Sequence, residues 1–213
     1  MSWFKWNDAV MPLPEEALPG RDRATVIDDL HEVFGVPISP PFPDGMHKIL
    51  LGMGCFWGAE RLFWKIPGVY VTAVGYAGGY TPNPTYEEVS TGKTGHAEVV
   101  LLVFDPAVLS YDQLFGLFWE SHNPLEGMRQ GNDVGTQYRS VLWPDCAGEL
   151  PRALKSREVY QRRLSERGIF REITTDIGEM PTFYYAERYH QQYLSKNPQG
   201  YCGIRGVGVA FES

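Results

Sequence analysis

The chain is poor in cysteine, with three among 213 residues, Cys55, Cys146 and Cys202, and no two of them form a C-x-x-C pair. Three separated thiols exclude a disulfide scaffold. They also argue against a zinc site, which needs Cys and His clustered at short spacing. Surplus positive charge is absent too: the net charge is −7, so nucleic acid and anionic membrane are poor partners. No apolar run approaches the length of a membrane span. The first eight residues lack the basic region and apolar core of a secretory leader, which makes the cytoplasm the expected location. What remains is ordinary for a globular domain, 43% apolar and 21% charged, with a generous 14% of aromatics. Many of these aromatics fall in loop-like stretches, the pattern of a lined pocket.

The organising stretch is Gly54-Cys55-Phe56-Trp57-Gly58. Before it runs the apolar Ile49-Leu50-Leu51-Gly52-Met53, and after it the helical pattern Ala59-Glu60-Arg61-Leu62-Phe63-Trp64. Cys55 is therefore expected at a strand-to-helix corner, where free amides and the helix dipole favour a thiolate. Phe56 and Trp57 beside it point to a small apolar pocket. A cysteine between aromatics fits a packed core equally well, and the pentapeptide by itself leaves both readings open.

Residues 1–44 hold seven prolines from Pro12 to Pro43 and no sustained period, which reads as an extended arm with a short helical piece near 25–33. From residue 45 the pattern alternates. Strands are expected at His47–Met53, Val69–Tyr76, His96–Phe104, Tyr138–Trp143 and Phe170–Ile177. Helices are expected at Trp57–Lys65, Tyr111–His122, Glu149–Arg167 and Tyr184–Leu194, with a short one at Tyr86–Val89. The unbroken apolar run Val99–Val103 marks a central strand, and the glycine-rich 123–136 is a long loop of the kind that carries function. The tail from Gly200 to Gly208 is too rich in glycine for regular structure and could carry Cys202 to Cys55 as a mobile arm. The expected fold class is α+β: a single domain, residues 45–213, with a mixed β-sheet and helices packed on it, a ferredoxin-like two-layer sandwich with coil arms at both termini.

Several strings, in order, match a known family. Beyond the pentapeptide they are 78–86 (GGYTPNPTY), 94–98 (TGHAE), 130–133 (QGND), 135–140 (GTQYRS) and 190–194 (HQQYL). From about Gly45 to the tail the chain resembles the type A peptide methionine sulfoxide reductases. The resemblance implies thiol-dependent reduction of methionine-S-sulfoxide, free or in oxidised proteins, and thus protein repair. It implies Cys55 as nucleophile, Glu98 as the acid that protonates the sulfoxide oxygen, and Tyr86 and Tyr138 as phenols bonding that oxygen. Phe56 and Trp57 would hold the methyl group and Asp133 would orient substrate. Cys202 would resolve a Cys55 sulfenic acid into a disulfide, reduced in turn by thioredoxin, with no metal or organic cofactor. Some members carry a further recycling thiol beyond the position of Cys202; here 206–210 reads Gly-Val-Gly-Val-Ala. A monomer is expected. Cys146 reads as an incidental surface thiol, and His96 and His190 as structural hydrogen-bonders, with a supporting role possible at His190.

The rivals are a Cys-dependent hydrolase using His96 or His190 as base, a thiol peroxidase, and a non-catalytic binder of methionine-bearing or aromatic peptides. The hydrolase leaves Cys202 idle, and the binder leaves Glu98 and Cys202 idle.

Overall fold

The computed structural model describes residues 9–211, so the first eight residues of the expected arm and the last two of the chain lie outside it. The organising strand β1 (His47–Met53) runs into α1 (Phe56–Phe63), and β2 (Val69–Ala77) returns parallel to β1 with a gap between them. After the short α2 (Tyr86–Ser90), β3 (Ala97–Phe104) fills that gap, antiparallel to both neighbours. Helix α3 (Tyr111–Ser121) leads to a two-residue ladder of β4 (Arg129–Gln130) and β5 (Asp133–Val134), then to β6 (Ser140–Pro144) on the far side of β1. Two interleaved β-α-β units thus make an antiparallel core in the order β6-β1-β3-β2. Helix α4 (Leu150–Glu166) follows. The sheet is finished by β7 (Asp176–Ile177), parallel to β6, and β8 (Phe183–Tyr185), on the outer edge of β2. This is the expected α+β architecture with a mixed sheet.

The period of two explains the continuous apolar run in β3. Val100, Leu102 and Phe104 face a core shared with α1, α3 and α4. Val99, Leu101 and Val103 face a second core on the opposite side. Among the described residues no helix packs on that second side. Its cover is the N-terminal arm, through Ile27, Val36, Ile38 and Phe42, together with Met180, Phe183 and Tyr185. The arm is tied down by polar contacts as well: Leu18 donates to the Lys93 carbonyl, and Arg21 reaches the Asn83 carbonyl and the Glu88 carboxylate at 2.7 Å each.

Three local expectations are corrected. Residues 25–33 form no helix; a single bridge joins Leu30 to Pro37. Of the expected strand 170–177, only Asp176–Ile177 finds a ladder partner, because the backbone N–H groups of Ile173 and Thr174 go to the Gln161 side chain and the Pro124 carbonyl instead. The expected helix 184–194 is instead β8, a turn, and the short α5 (Tyr193–Lys196). Gln191 replaces backbone pairing there, its side chain bonding both the N–H and the carbonyl of Val74 at 2.9 and 2.8 Å. Gln192 then turns left-handed, with φ 47°.

Candidate active site

Cys55 is the residue at which β1 stops and α1 begins; it forms the helix cap. Gly54 makes the corner possible. Its φ is 87°, and a Cβ there would lie 2.6 Å from the Gln130 side chain. The half-buried Cys55 sulfur lies near the amides of Trp57 and Gly58 in the first helical turn, with no side-chain hydrogen bond capping the helix. Those amides favour the thiolate, as the sequence position implies. Burial outweighs them, with the negative charges of Glu98 and Asp133 adding to it, so the resting thiol is pushed up and stays protonated.

Glu98 stands near the start of β3, opposite Tyr76 of β2, and is 2% exposed. Its Oε2 accepts the amide of Phe56, the residue following Cys55, at 3.1 Å. Burial raises its pKa to about 8 and Asp133 adds to the rise, against the Phe56 amide. At neutral pH it therefore holds a proton. Its negative charge beside Cys55 is then absent, and the proton is available for transfer.

Tyr86 opens α2 behind the Thr85 cap, and Tyr138 closes a 3-10 turn after Gly135. Burial, then Glu98, raises the pKa of both phenols, and both feel Cys55 and Asp133 as well. They remain donors at any physiological pH. Cys55, Glu98, Asp133, Tyr86 and Tyr138 thus share one electrostatic neighbourhood, gathered from α1, β3, the β5 ladder, α2 and the 136–138 turn.

Of the two aromatics after Cys55, Phe56 is buried against Tyr76 and His190, with centroids 5.9 and 5.2 Å away. Trp57 is partly buried and held on two sides. Its indole N–H donates to His190 Nδ1 at 3.1 Å, and Tyr193 stacks on it at 3.9 Å. Since the indole can only donate, Nδ1 is unprotonated. Burial holds His190 neutral, with its pKa lowered to about 4. Glu187 fixes the surroundings by accepting the Tyr76 hydroxyl at 3.0 Å and the Tyr86 amide at 2.8 Å. Glu187 and Tyr193 were not singled out in the sequence, because their stretch reads as one helix. Their signal was the spacing of three from His190 on either side. His96 uses both ring nitrogens on the 79–81 loop, accepting from Gly79 and bonding the Thr81 carbonyl, so it is no base for Cys55.

The tail brings Cys202 to the same helix. A Cβ built on Gly58, one turn beyond Cys55, would meet the Cys202 sulfur at 3.1 Å and Ile204 at 3.0 Å. The absent side chain is the seat of the tail. Tyr201, a further residue not singled out in the sequence, lies close enough to Asp133 that, after burial, the carboxylate raises its phenol pKa. Beyond that, the tail lies along α3 and α4: Tyr160 donates to the Val209 carbonyl at 3.0 Å and the Phe211 amide to Glu120 at 2.6 Å. All three thiols are free, and Cys146 stands apart at a turn before α4. Among the described residues no group of three or more His, Cys, Asp or Glu is arranged to hold a metal ion, and no helix is long and apolar enough to cross a membrane.

The model of the family described as "Peptide methionine sulfoxide reductase" matches residues 47–209. The curated peptide methionine sulfoxide reductase MsrA of Agrobacterium fabrum is 60% identical over 200 residues, covering 94% of this chain and 93% of its own. The MsrA of Brucella melitensis is 61% identical, covering 94% and 91%. Among solved structures, methionine sulfoxide reductase A of Corynebacterium diphtheriae superposes with a TM-score of 0.85 at 42% identity, over 94% of this chain and 97% of that one. Reduced Mxr1 of Saccharomyces cerevisiae superposes with a TM-score of 0.70 at 34% identity, over 83% and 96%.

Proposed function

Because the chain belongs to the peptide methionine sulfoxide reductase family, we propose that Cys55 is its nucleophile, Glu98 its acid and Cys202 its resolving thiol. The enzyme is an oxidoreductase that reduces methionine sulfoxide. The residue roles rest on one observation above all: a buried carboxyl that keeps its proton at neutral pH touches the amide next to the nucleophile.

The steps follow from these positions. Substrate enters with its methyl group against Phe56 and Trp57, its S epimer being the one accepted, and Asp133 orients it. The Cys55 sulfur bonds to the sulfoxide sulfur as Glu98 gives its proton to the oxygen. Tyr86 and Tyr138 donate to that oxygen while charge builds on it. The thiol proton replaces the one Glu98 gave up. Oxygen passes to Cys55 as a hydroxyl, methionine leaves reduced by two electrons, and Cys55 is oxidised to the sulfenic acid. Cys202 displaces that hydroxyl as water and forms the Cys55–Cys202 disulfide. Thioredoxin, a dithiol, reduces the disulfide by exchange and takes up the oxidation itself.

Atoms and electrons balance with thiols alone, so the route calls for no metal or organic cofactor. Residues 203–213 hold no further thiol, and thioredoxin acts on the Cys55–Cys202 bond. We assign the enzyme to the cytoplasm, where thiols are kept reduced, as a monomer in which residues 1–44 are an arm on a catalytic body formed by 45–213. Its substrates are oxidised proteins and free methionine-S-sulfoxide.

The test is a mass and thiol count of the reduced protein, before and after one equivalent of a methionine-S-sulfoxide peptide. Methionine released with two thiols lost, mapped to Cys55 and Cys202, is the expected result. A disulfide to Cys146 overturns the resolving role. Methionine released without loss of thiol overturns the whole route.

A further inference from the structure

A second buried glutamate, this one on α1, takes no part in this chemistry. Glu60 lies one turn beyond Trp57 on the same helix, with its side chain on the inner side. Its Oε1 accepts the Thr72 hydroxyl at 3.0 Å and the Gln192 side-chain amide at 2.8 Å; its Oε2 accepts the Gln192 backbone N–H at 2.9 Å. All three partners donate. The direction of the Thr72 hydroxyl is set from further away. His31, on the N-terminal arm, accepts the amides of Val33 and Phe34 on Nδ1 at 3.1 and 3.2 Å, so its ring proton is on Nε2. That proton goes to Thr72 Oγ1 at 2.9 Å, leaving the Thr72 proton for Glu60. The Gln192 side-chain oxygen Oε1 in turn accepts the arm amide of Glu32 at 3.2 Å. The relay therefore has one orientation, from the arm through β2 to α1, and it ends on a residue held at φ 47°.

Gln192 sits between the two side chains that hold the Trp57 indole, with His190 two residues before it and Tyr193 directly after. A left-handed turn at a non-glycine residue is strained and persists only when its surroundings impose it. Glu60 imposes it, through two of its three hydrogen bonds. We propose that Glu60 is a positioning residue for substrate binding: by fixing the Gln192 turn it sets His190 and Tyr193 around Trp57, and His31 and Thr72 couple the N-terminal arm to the pocket. The inference rests on the reading of Trp57 as a wall of the methyl pocket. The charged group acting on Glu60 is Lys196 from α5, which favours the carboxylate; β2 contributes the neutral Thr72, and His31, beyond Thr72 on the arm, is held neutral by burial. Burial pushes the Glu60 pKa up to about 7. A protonated carboxyl would have to donate into a shell of donors, so acidification loosens the turn.

The test compares the full-length wild type with Glu60→Gln, which puts an amide among those donors. The expected result for Glu60→Gln is a KM for a methionine-S-sulfoxide peptide raised about tenfold, with the rate of Cys55–Cys202 closure unchanged. The 19F resonance of 5-fluorotryptophan at position 57, identified by its absence in Trp57→Phe, should shift. The wild-type KM should rise as pH falls through about 7, and that rise should vanish in Glu60→Gln. A folded Glu60→Gln with unchanged KM and an unmoved resonance overturns the proposal. If Glu60→Gln does not fold, Gln192→Ala serves: a raised KM supports the proposal and an unchanged one overturns it. An unchanged KM in Trp57→Phe overturns the premise about the pocket, and the proposal with it.

Discussion

Glu60 and Glu98 are both buried, both belong to groups built around α1, and burial raises the pKa of each, to about 7 and about 8. They differ in what surrounds them. Glu60 meets three donors and is locked among them. Among the described residues Glu98 meets one donor, the Phe56 amide, and otherwise faces a thiol, a carboxylate and two phenols. A carboxylate fully supplied with donors is a fixture. One left short of them keeps its proton and can hand it on. Burial supplies the high pKa in both cases, and the donor count separates structure from chemistry.

The comparison breaks most visibly at Glu98. Glu98→Gln keeps the shape and removes the transferable proton, so the sulfoxide-reduction step should slow roughly 10²–10⁴-fold in single-turnover assays. In the wild type that step should fall as pH rises through about 8, because the acid is lost there. Phenol removal comes next: Tyr86→Phe and Tyr138→Phe should each slow the same step, by up to about 10²-fold, as for loss of one donor to a developing oxyanion. Their combined effect should fall short of the product, since they serve one oxygen.

Gly58→Ala sharpens the assignment of the tail. Its new Cβ would press on the Cys202 sulfur and Ile204. Disulfide closure should slow by about tenfold while the first methionine is released at the normal rate.

The smallest effects are on stability. A carboxyl whose pKa is raised on folding favours the folded state below its ordinary value of 4.5, and that stabilisation is lost as pH rises to about 8. Glu98→Gln removes this cost, so at pH 8 the inactive variant should melt higher than the wild type, by about 2–4 °C for each kcal/mol regained. His31→Ala should do the reverse, losing about 1–3 kcal/mol in urea titrations, because it leaves the Thr72 hydroxyl without its donor.

Much of the site was legible because it is carried by contiguous strings at the ends of strongly patterned elements. Val99–Val103 marks a central strand by its unbroken apolar run, whereas Glu98 at its start was singled out by the family string 94–98 and not by its position. Cys55 follows from the apolar run and helical period on either side of it. Its proton was not legible. The helix N-terminus argued for a thiolate, and the depth of burial reverses that sign. The 184–194 stretch has helical spacing, yet Gln191 gives Val74 the partners a strand would have given, and Gln192 turns left-handed. Side-chain substitutes for backbone pairing leave no periodic mark. The arm was read from its prolines as extended, and that reading gave no sign that Ile27, Val36, Ile38 and Phe42, which follow no period of their own, help to cover a face of the sheet.

The most direct measurement is a titration of the two carboxyls by 13C NMR in protein labelled at the glutamate side-chain carboxyl, with Glu98→Gln and Glu60→Gln assigning the signals. The account predicts that the Glu98 signal titrates near pH 8 and the Glu60 signal near pH 7, with the rate of sulfoxide reduction following the former alone. A Glu98 signal titrating near 4.5, with reduction unchanged across pH 6 to 9, would contradict the assignment of Glu98 as the proton donor.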